Sequence, residues 1–488
     1  MIAFRKFLIL IHRYLGITLC LLFVMWFVSG IAMIFARGMP SLTPGLRLER
    51  LPELDIAAVK VTGSEAAEKA QLDRAPARAT LLMVMDRPAY RFSSRGTITA
   101  FADTGDVLEE VGQHEAMKIA SRFMNVPEAK LHYAGELLEP DQWTLEERRI
   151  LPAHKITVDD EAHSELYVSE ATAEVALLTT RGSRALAWVA AIPHWMYFAP
   201  LRQNGPVWRQ VVLWTSGIGT ILALLGITLA FTQYSTRYAG LMRWHYVTGV
   251  AFGVVSLTWV FSGLLSMEPF FWASGGGTGD RIPQALRGGA LDLARFPKPA
   301  LPGNNIKEVE FLRIQGEPYY LVRGTTDEPL LVSAGSSQIR HESFSTESLL
   351  NRVKQGNPDV AIAESTLLSD YDSYYHPGER KPPLPVLRVK FADPDASWFY
   401  IDPHMSQVVM RFTRRERLQR WIYHGFHSLD FNFWYYQGRV WQTAMVALNA
   451  GGALLSVIGL VLAIKRVSRA IKRMTKIARP QVDTYTNR

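Results

Sequence analysis

Cysteine is nearly absent: Cys20 is the only one in 488 residues, and it lies inside a long apolar run. Segments outside that run therefore have no disulfides to hold them, although an oxidising compartment would permit them. No Cys-x-x-Cys-His is present, which excludes thioether-attached haem, and no cysteine set is present for an iron–sulfur cluster. Phosphate-binding loops, dinucleotide fingerprints and nucleophile–base motifs are missing from any suitable setting. NAD(P)H and flavin thus have no evident site, and any electrons must come from a separate donor.

Charge is also absent, but locally. Although 20% of the residues are charged, none lies between Arg13 and Arg37, Arg209 and Arg237, His245 and Glu268, or Arg439 and Lys465. Each run suffices to cross a hydrocarbon core of about 30 Å at about 1.5 Å per residue. Four transmembrane helices are predicted, placed at 1–36, 208–236, 245–267 and 440–464. The first run is too long for a signal peptide and lacks an Ala-x-Ala site, so it reads as a retained anchor. Arg5, Lys6 and Arg13, then Arg237 and Arg243 in the 237–244 loop, then Lys465, Arg466, Arg469, Lys472, Arg473 and Lys476 in the 465–488 tail flank the runs on one side. The positive-inside rule makes that side cytoplasmic and puts 37–207 and 268–439 outside. The net charge of +8 is partly this tail, whose partner is the lipid bilayer and not nucleic acid.

The two halves repeat. His12-Arg13-Tyr14-Leu15-Gly16 and His245-Tyr246-Val247-Thr248-Gly249 start 245 − 12 = 233 positions apart, and His194 and His427 keep the same offset. So do Trp26 and Trp259, Ser29 and Ser262, Gly30 and Gly263, Leu151-Pro152 and Leu384-Pro385, Tyr167 and Tyr400, Trp188 and Trp421, and Trp208 and Trp441. The chain reads as a tandem duplication. Its outside segments read as α+β units: Phe92–Phe101, Ile156–Val158 and Glu165–Val168 alternate like strands, and Glu115–Met124 has helical spacing. In the second half Val309–Ile314, Tyr319–Gly324, Leu330–Ser333 and Gln407–Phe412 are strand-like, and Leu384–Phe391 with Ser397–Asp402 resembles a hairpin.

Leu384-Pro385-Val386 followed by Trp398-Phe399-Tyr400-Ile401-Asp402-Pro403 resembles the end of a PepSY domain, and His12-Arg13-Tyr14-Leu15-Gly16 resembles the helix entry of the PepSY-associated transmembrane (PepSY-TM) family. The first copy departs from the pattern, with Val168-Ser169-Glu170 in place of Ile401-Asp402-Pro403. The resemblance covers nearly the whole chain. It implies an α-helical membrane protein with four transmembrane helices in a tandem-duplicated bundle and two periplasmic α+β PepSY-like domains. The family includes FoxB-type inner-membrane di-haem siderophore reductases, so it implies an oxidoreductase of the bacterial inner membrane with a ferric siderophore as acceptor and an unknown cytoplasmic or membrane electron donor.

The histidines fit two b-type haems, one near each membrane face. On a helix, Gly16, Leu19, Phe23, Trp26 and Gly30 share a stripe with His12; Gly249, Phe252, Ser256, Trp259 and Gly263 share one with His245. Small residues there leave room for a flat macrocycle, although close helix packing favours them too. Ionisable groups within a membrane are functional by default. Repeats of equal topology are related by an axis along the membrane normal, which brings His12 towards His245 as axial ligands on the inner side, and His194 towards His427 on the outer side. His424, three residues before His427, is an alternative ligand or a contact for propionate or substrate. Arg184 and Arg417, also 233 apart, either pair with haem propionates or are solvated. His114, His132, His154, His163, His341 and His404 lack ligand spacing and read mostly as surface residues. The aromatic, partly basic loop Tyr371–Lys381 with His376 is a further docking candidate or an ordinary exposed loop. The competing functions are a non-redox module binding or inhibiting periplasmic peptidases, and a transporter; the spans hold no acidic residues to support the latter.

Overall fold

The computed structural model describes residues 2–36, 38–233, 237–269, 281–301, 305–324, 328–377, 381–431 and 438–477. Four long helices, α1 (Ile2–Met33), α2 (Gly205–Thr232), α3 (Gly240–Ser266) and α4 (Arg439–Ile477), are long and apolar enough to cross a membrane. None has a proline in its interior; Pro206 sits in the first turn of α2, where its missing N–H costs nothing, behind an Asn204 cap whose side chain accepts from Val207 N. α4 does not stop where its apolar run ends at Ile464. Lys, Arg, Ala and Met are good helix formers, so the expected basic tail continues the same helix to Ile477.

The chain divides into two compact units, Met1–Met39 with Ala185–Trp272 and Leu418–Arg488, and Pro40–Arg184 with Ala273–Arg417. The helical unit is thus larger than hydropathy alone indicates. It takes in the short helices Ala191–Trp195 and Ala199–Arg202 and the π-helical turn Trp421–Gly425, which pack on α1, α2 and α3 respectively. Within this unit α1 packs along α4, and α2 along α3. Glycines make the approach possible. A Cβ on Gly452 would stand 2.4 Å from Phe27 Cε1, and one on Gly219 would stand 3.0 Å from Val260 Cγ1. These two contacts are repeat-matched, since 452 − 219 = 260 − 27 = 233. The shared core contains Leu19, Phe23, Phe27, Leu222, Trp259, Val260 and Met445.

In the second unit the first half supplies β1 (Arg78–Val84), β2 (Arg87–Ser93), β3 (Thr97–Phe101), β4 (Leu131–Leu137), β5 (Ala153–Val158), β6 (Glu165–Ser169) and β7 (Glu174–Thr179). The second half supplies β8 (Ile306–Ile314), β9 (Glu317–Gly324), β10 (Leu330–Ser333), β11 (Ile362–Leu368), β12 (Val386–Phe391), β13 (Trp398–Asp402) and β14 (Gln407–Phe412). Counterparts keep the offset: β5 and β12 start at 153 and 386, β6 and β13 at 165 and 398, and the helices Gln113–Met124 and Thr346–Gly356 at 113 and 346. Leu151-Pro152 and Leu384-Pro385 are both cis. The strands form two four-stranded sheets, β4-β5-β6-β7 and β11-β12-β13-β14, and one six-stranded sheet, β10-β9-β8-β1-β2-β3. The hairpin expected over 384–402 is β12–β13, with Leu387 opposite Ile401 and Val389 opposite Phe399.

The halves are therefore not two independent domains. β1 pairs with its own counterpart β8, antiparallel, with Ala79 opposite Phe311 and Leu81 opposite Val309. Pairing two equivalent edges removes both from solvent. Charge braces the seam. Buried Glu308 accepts from Arg47 at 2.8 Å and Arg323 at 3.0 Å, Glu310 pairs with Arg78 at 2.7 Å and Arg323 at 2.7 Å, and Glu174 pairs with Arg47 and Arg91. Burial would raise the Glu308 carboxyl, but Arg47, Arg323 and Arg78 outweigh it and hold the group below its ordinary value of 4.5.

Two outcomes follow from this packing. A carboxyl depressed in the folded state contributes stability above its unfolded pKa and loses it as pH falls through the folded one. Glu308→Gln should cost about 3 kcal/mol at pH 7, because buried arginines lose their partner. In thermal melts of the full chain in detergent, acidification below 4.5 should destabilise the wild type more than the variant. A Glu308→Gln melt equal to wild type at pH 7 would contradict this. Gly452→Val should cost roughly 1–3 kcal/mol by overpacking and lower the melting temperature of the helical unit; an unchanged melt would mean that Phe27 can swing clear.

Candidate functional site

The four repeat-matched histidines form two pairs in the helical unit. His12 in α1 and His245 in α3 have ring centroids 6.4 Å apart at 43°. His194, on the short helix Ala191–Trp195, and His427, just past the turn Trp421–Gly425, lie 6.0 Å apart at 63°. Ser29 of α1 touches His194, so the pairs are separated by the 17 residues from His12 to Ser29, about 25 Å of helix at about 1.5 Å per residue.

Each ring has a specific anchor. Ser29 Oγ donates to Trp26 O at 3.1 Å and lies 3.2 Å from His194 Nδ1. Ser262 Oγ repeats this, with Trp259 O at 3.0 Å and His427 Nδ1 at 3.0 Å. A serine hydroxyl has one proton. Here it is committed to a carbonyl, so the serine accepts and Nδ1 is the protonated ring nitrogen. His12 Nδ1 faces Leu222 O at 3.3 Å, and a carbonyl only accepts, so the same tautomer holds. In all three rings the lone pair is left on Nε2, the nitrogen available to a metal. His245 Nδ1 is buried without a hydrogen-bond partner; the carbonyl equivalent to Leu222 O would be that of Leu455. Glycines give the rings of the first pair their places: a Cβ on Gly226 would stand 3.0 Å from His12 Cε1, and one on Gly459, 233 residues on, 3.6 Å from His245 Cε1.

The donor set is selective. Among the described residues no group of three or more His, Cys, Asp or Glu side chains could hold a bare metal ion. A zinc site needs three or four protein ligands, and each site here offers two imidazoles. Two imidazoles complete a metal that brings its own equatorial ligands, as haem iron does. Two collinear metal–imidazole bonds of about 2.0 Å, plus about 1.1 Å from nitrogen to ring centre on each side, would put the centroids about 6.2 Å apart. The observed 6.4 and 6.0 Å bracket that separation, so the residues fit the group.

Glycine keeps space open at three stripe positions: Cβ atoms on Gly16 and Gly249 would meet only Leu222 and Leu455 side chains, at 4.0 and 3.8 Å, and Gly263 has nothing within 4 Å, whereas one on Gly30 would stand 2.7 Å from Asn449 Oδ1. Phe23 and Phe252 instead cover Gly219 and Gly451, so close helix packing accounts for them. His424 is exposed and its ring contacts Tyr423 at 4.8 Å; it is His427 that faces His194. Arg184 donates to Thr179 Oγ1 and His163 O, and Arg417 to Phe412 O and Ala396 O. The carbonyls of His163 and Ala396 are themselves 233 apart, so both arginines fasten equivalent turns of the sheet-bearing unit. In Tyr371–Lys381, Tyr375 is fully buried against Tyr400, and residues 378–380 lie outside the described residues, as do Phe433–Tyr436. His154 is not at the surface: it is buried, with Tyr133 Oη at 3.0 Å and Val111 O at 2.5 Å, because β5 turns it into the sheet's covered face. His114, His132, His163 and His341 are exposed. Ser29 and Ser262 stand out in the sequence only as matched positions, and Gly226 with Gly459 only through the same offset.

A family profile described as PepSY-associated TM region matches residues 9–466. No curated protein gives a significant match.

Proposed function

The chain belongs to the PepSY-associated transmembrane family, and within it we propose a di-haem b-type electron-transfer protein of a bacterial inner membrane that reduces ferric siderophores. In this reading the chain is a tandem duplication, its termini are cytoplasmic and its sheet-bearing unit is periplasmic, in keeping with the one-sided arginines and lysines. The observation that carries the reading is the pairing of imidazoles at 6.4 and 6.0 Å, with Nδ1 of His12, His194 and His427 committed and Nε2 left to accept.

His12 and His245 would hold one haem, His194 and His427 the other. Bound haem supplies a one-electron couple whose potential depends on its ligands and their hydrogen bonds. The residues do the rest. Ser29 and Ser262 fix the planes of the second pair, and Leu222 O that of His12; an Nδ1–H donated to an acceptor raises the basicity of the ligating nitrogen. The bundle core around Phe27, Leu222 and Trp259 excludes water from the space between the sites. Reduction of Fe(III) to Fe(II) weakens hard oxygen donors such as hydroxamate and catecholate, which frees the iron.

A dithionite-reduced minus oxidised spectrum with pyridine-haemochrome quantification tests this. Two b-type haems per chain are expected. His12→Ala or His245→Ala should remove one, His194→Ala or His427→Ala the other, and His424→Ala neither. A haem-free protein from haem-replete cells would overturn the reading and favour a peptidase-binding module.

A further inference from the structure

The second pair has matched serine anchors, but the residues just before its two histidines differ between the repeats. Tyr423 and His424 correspond to Ala190 and Ala191 (423 − 190 = 233), and both alanines are fully buried. Tyr423 stacks on His427 with centroids 5.2 Å apart at 26° and meets His424 edge-on at 4.8 Å and 63°. The three rings run from a ring of the second pair to an exposed imidazole. The backbone differs too. The stretch Trp421–Gly425 is a π-helical turn, whereas the first repeat ends one α-helix at Val189 and starts another at Ala191. Such turns are rare and cluster at functional sites. The turn is braced by buried Arg420, which pairs with Asp430 at 2.7 Å and lies over the Trp421 ring; the residue equivalent to Arg420 is Ala187.

We propose that the second repeat alone presents the face on which the electron acceptor docks, with His424 as its contact and Tyr423 as the packed ring behind it, while Ala190 and Ala191 seal the first repeat. This rests on the electron-transfer reading above. The acceptor class is ferric iron held by hydroxamate or catecholate oxygens, for which an exposed imidazole is a hydrogen-bonding partner and an aromatic edge an apolar one. One electron would pass to the acceptor from the reduced haem that His194 and His427 would hold, so that haem would be oxidised by one electron as the acceptor's Fe(III) becomes Fe(II). No bond to the protein forms, and Tyr423 keeps its proton. Tyr423 is a positioning residue: its stack sets the plane of the His427 ring.

The test uses the full-length, haem-loaded protein. Cys20 is 7% exposed, so cysteines introduced by His424→Cys or Val189→Cys can be labelled selectively with a bulky maleimide; Val189 is an exposed control on the first repeat. Dithionite-reduced protein is then mixed with ferric-EDTA and with a ferric trihydroxamate. Label at position 424 should slow oxidation by about an order of magnitude, as misplacement of a reactant by little more than its own contact does. Label at position 189 should change it little. Tyr423→Ala should shift one of two low-spin electron paramagnetic resonance signals, leave the other, and retain both haems; Tyr423→Phe should restore the first. Equal slowing from both labels, no slowing, or signals unmoved by Tyr423→Ala would overturn this proposal alone. Failure of the unmodified protein to bind haem would overturn both.

Discussion

An imidazole held by one nitrogen inside a helix bundle is the interaction on which the rest of the helical unit depends. Three of the four histidines are anchored within their own repeat: His12 by Leu222, His194 by Ser29, His427 by Ser262. Each is paired, however, with a ring from the other repeat. Packing follows the same division, since α1 lies along α4 and α2 along α3, so neither half encloses a site alone. The crossing explains why the offset of 233 is kept at contact residues such as Gly219 and Gly452. A one-residue slip in either repeat would turn a histidine about 100° around its helix and away from its partner.

The sheet-bearing unit solves the same problem with hydrogen bonds. β1 and β8 are equivalent strands, and their antiparallel pairing joins two three-stranded meanders into one sheet. Identical edges can pair with any copy, which invites association between chains. The ion pairs at the seam break that symmetry: matching the hairpins at Val84–Arg87 and Ile314–Glu317 puts Arg78 where the second repeat has Glu308, and Thr80 where it has Glu310. A seam between two copies of β8 would face carboxylate with carboxylate. The charges thus select the partner, at the cost of tying the unit's stability to the ionisation of Glu308.

Much of this was legible in the sequence because it is carried by periodicity and repetition. Uncharged runs locate α1 to α4, alternation locates β8 to β10, and the offset picks out His12, His194, His245 and His427 without any structure. What was not legible depends on long-range direction. Ser29 and Ser262 are matched residues, but nothing local says that their hydroxyls meet rings 165 residues away. His154 looks like a surface histidine among polar neighbours, yet strand alternation turns it inward. Edge pairing of β1 with β8 has no local signal, and hydropathy places the limits of the membrane, not those of α4. The short segments after Arg184 and Arg417, interrupted by Pro193 in one and by Arg420 and Asp430 in the other, offer no uncharged run as long as the four spans, but they carry half of the paired histidines.

Polar groups in an apolar bundle must be satisfied or they cost several kcal/mol each. Most here are satisfied by their own helix: Thr220 donates to Ser216 O, Thr248 to Trp244 O, Ser256 to Phe252 O, Ser456 to Gly452 O, and Asn449 to Met445 O. These groups carry no information about ligands, since backbone carbonyls one turn away would satisfy them in any helix. The exceptions in α3 are Trp259 Nε1 and His245 Nδ1, both buried without a hydrogen-bond partner. His245 belongs to one pair, and Trp259 stands one turn before Ser262, the anchor of the other. Unsatisfied polarity in α3 therefore lies beside the paired rings, three of which are held in the tautomer that leaves Nε2 its lone pair.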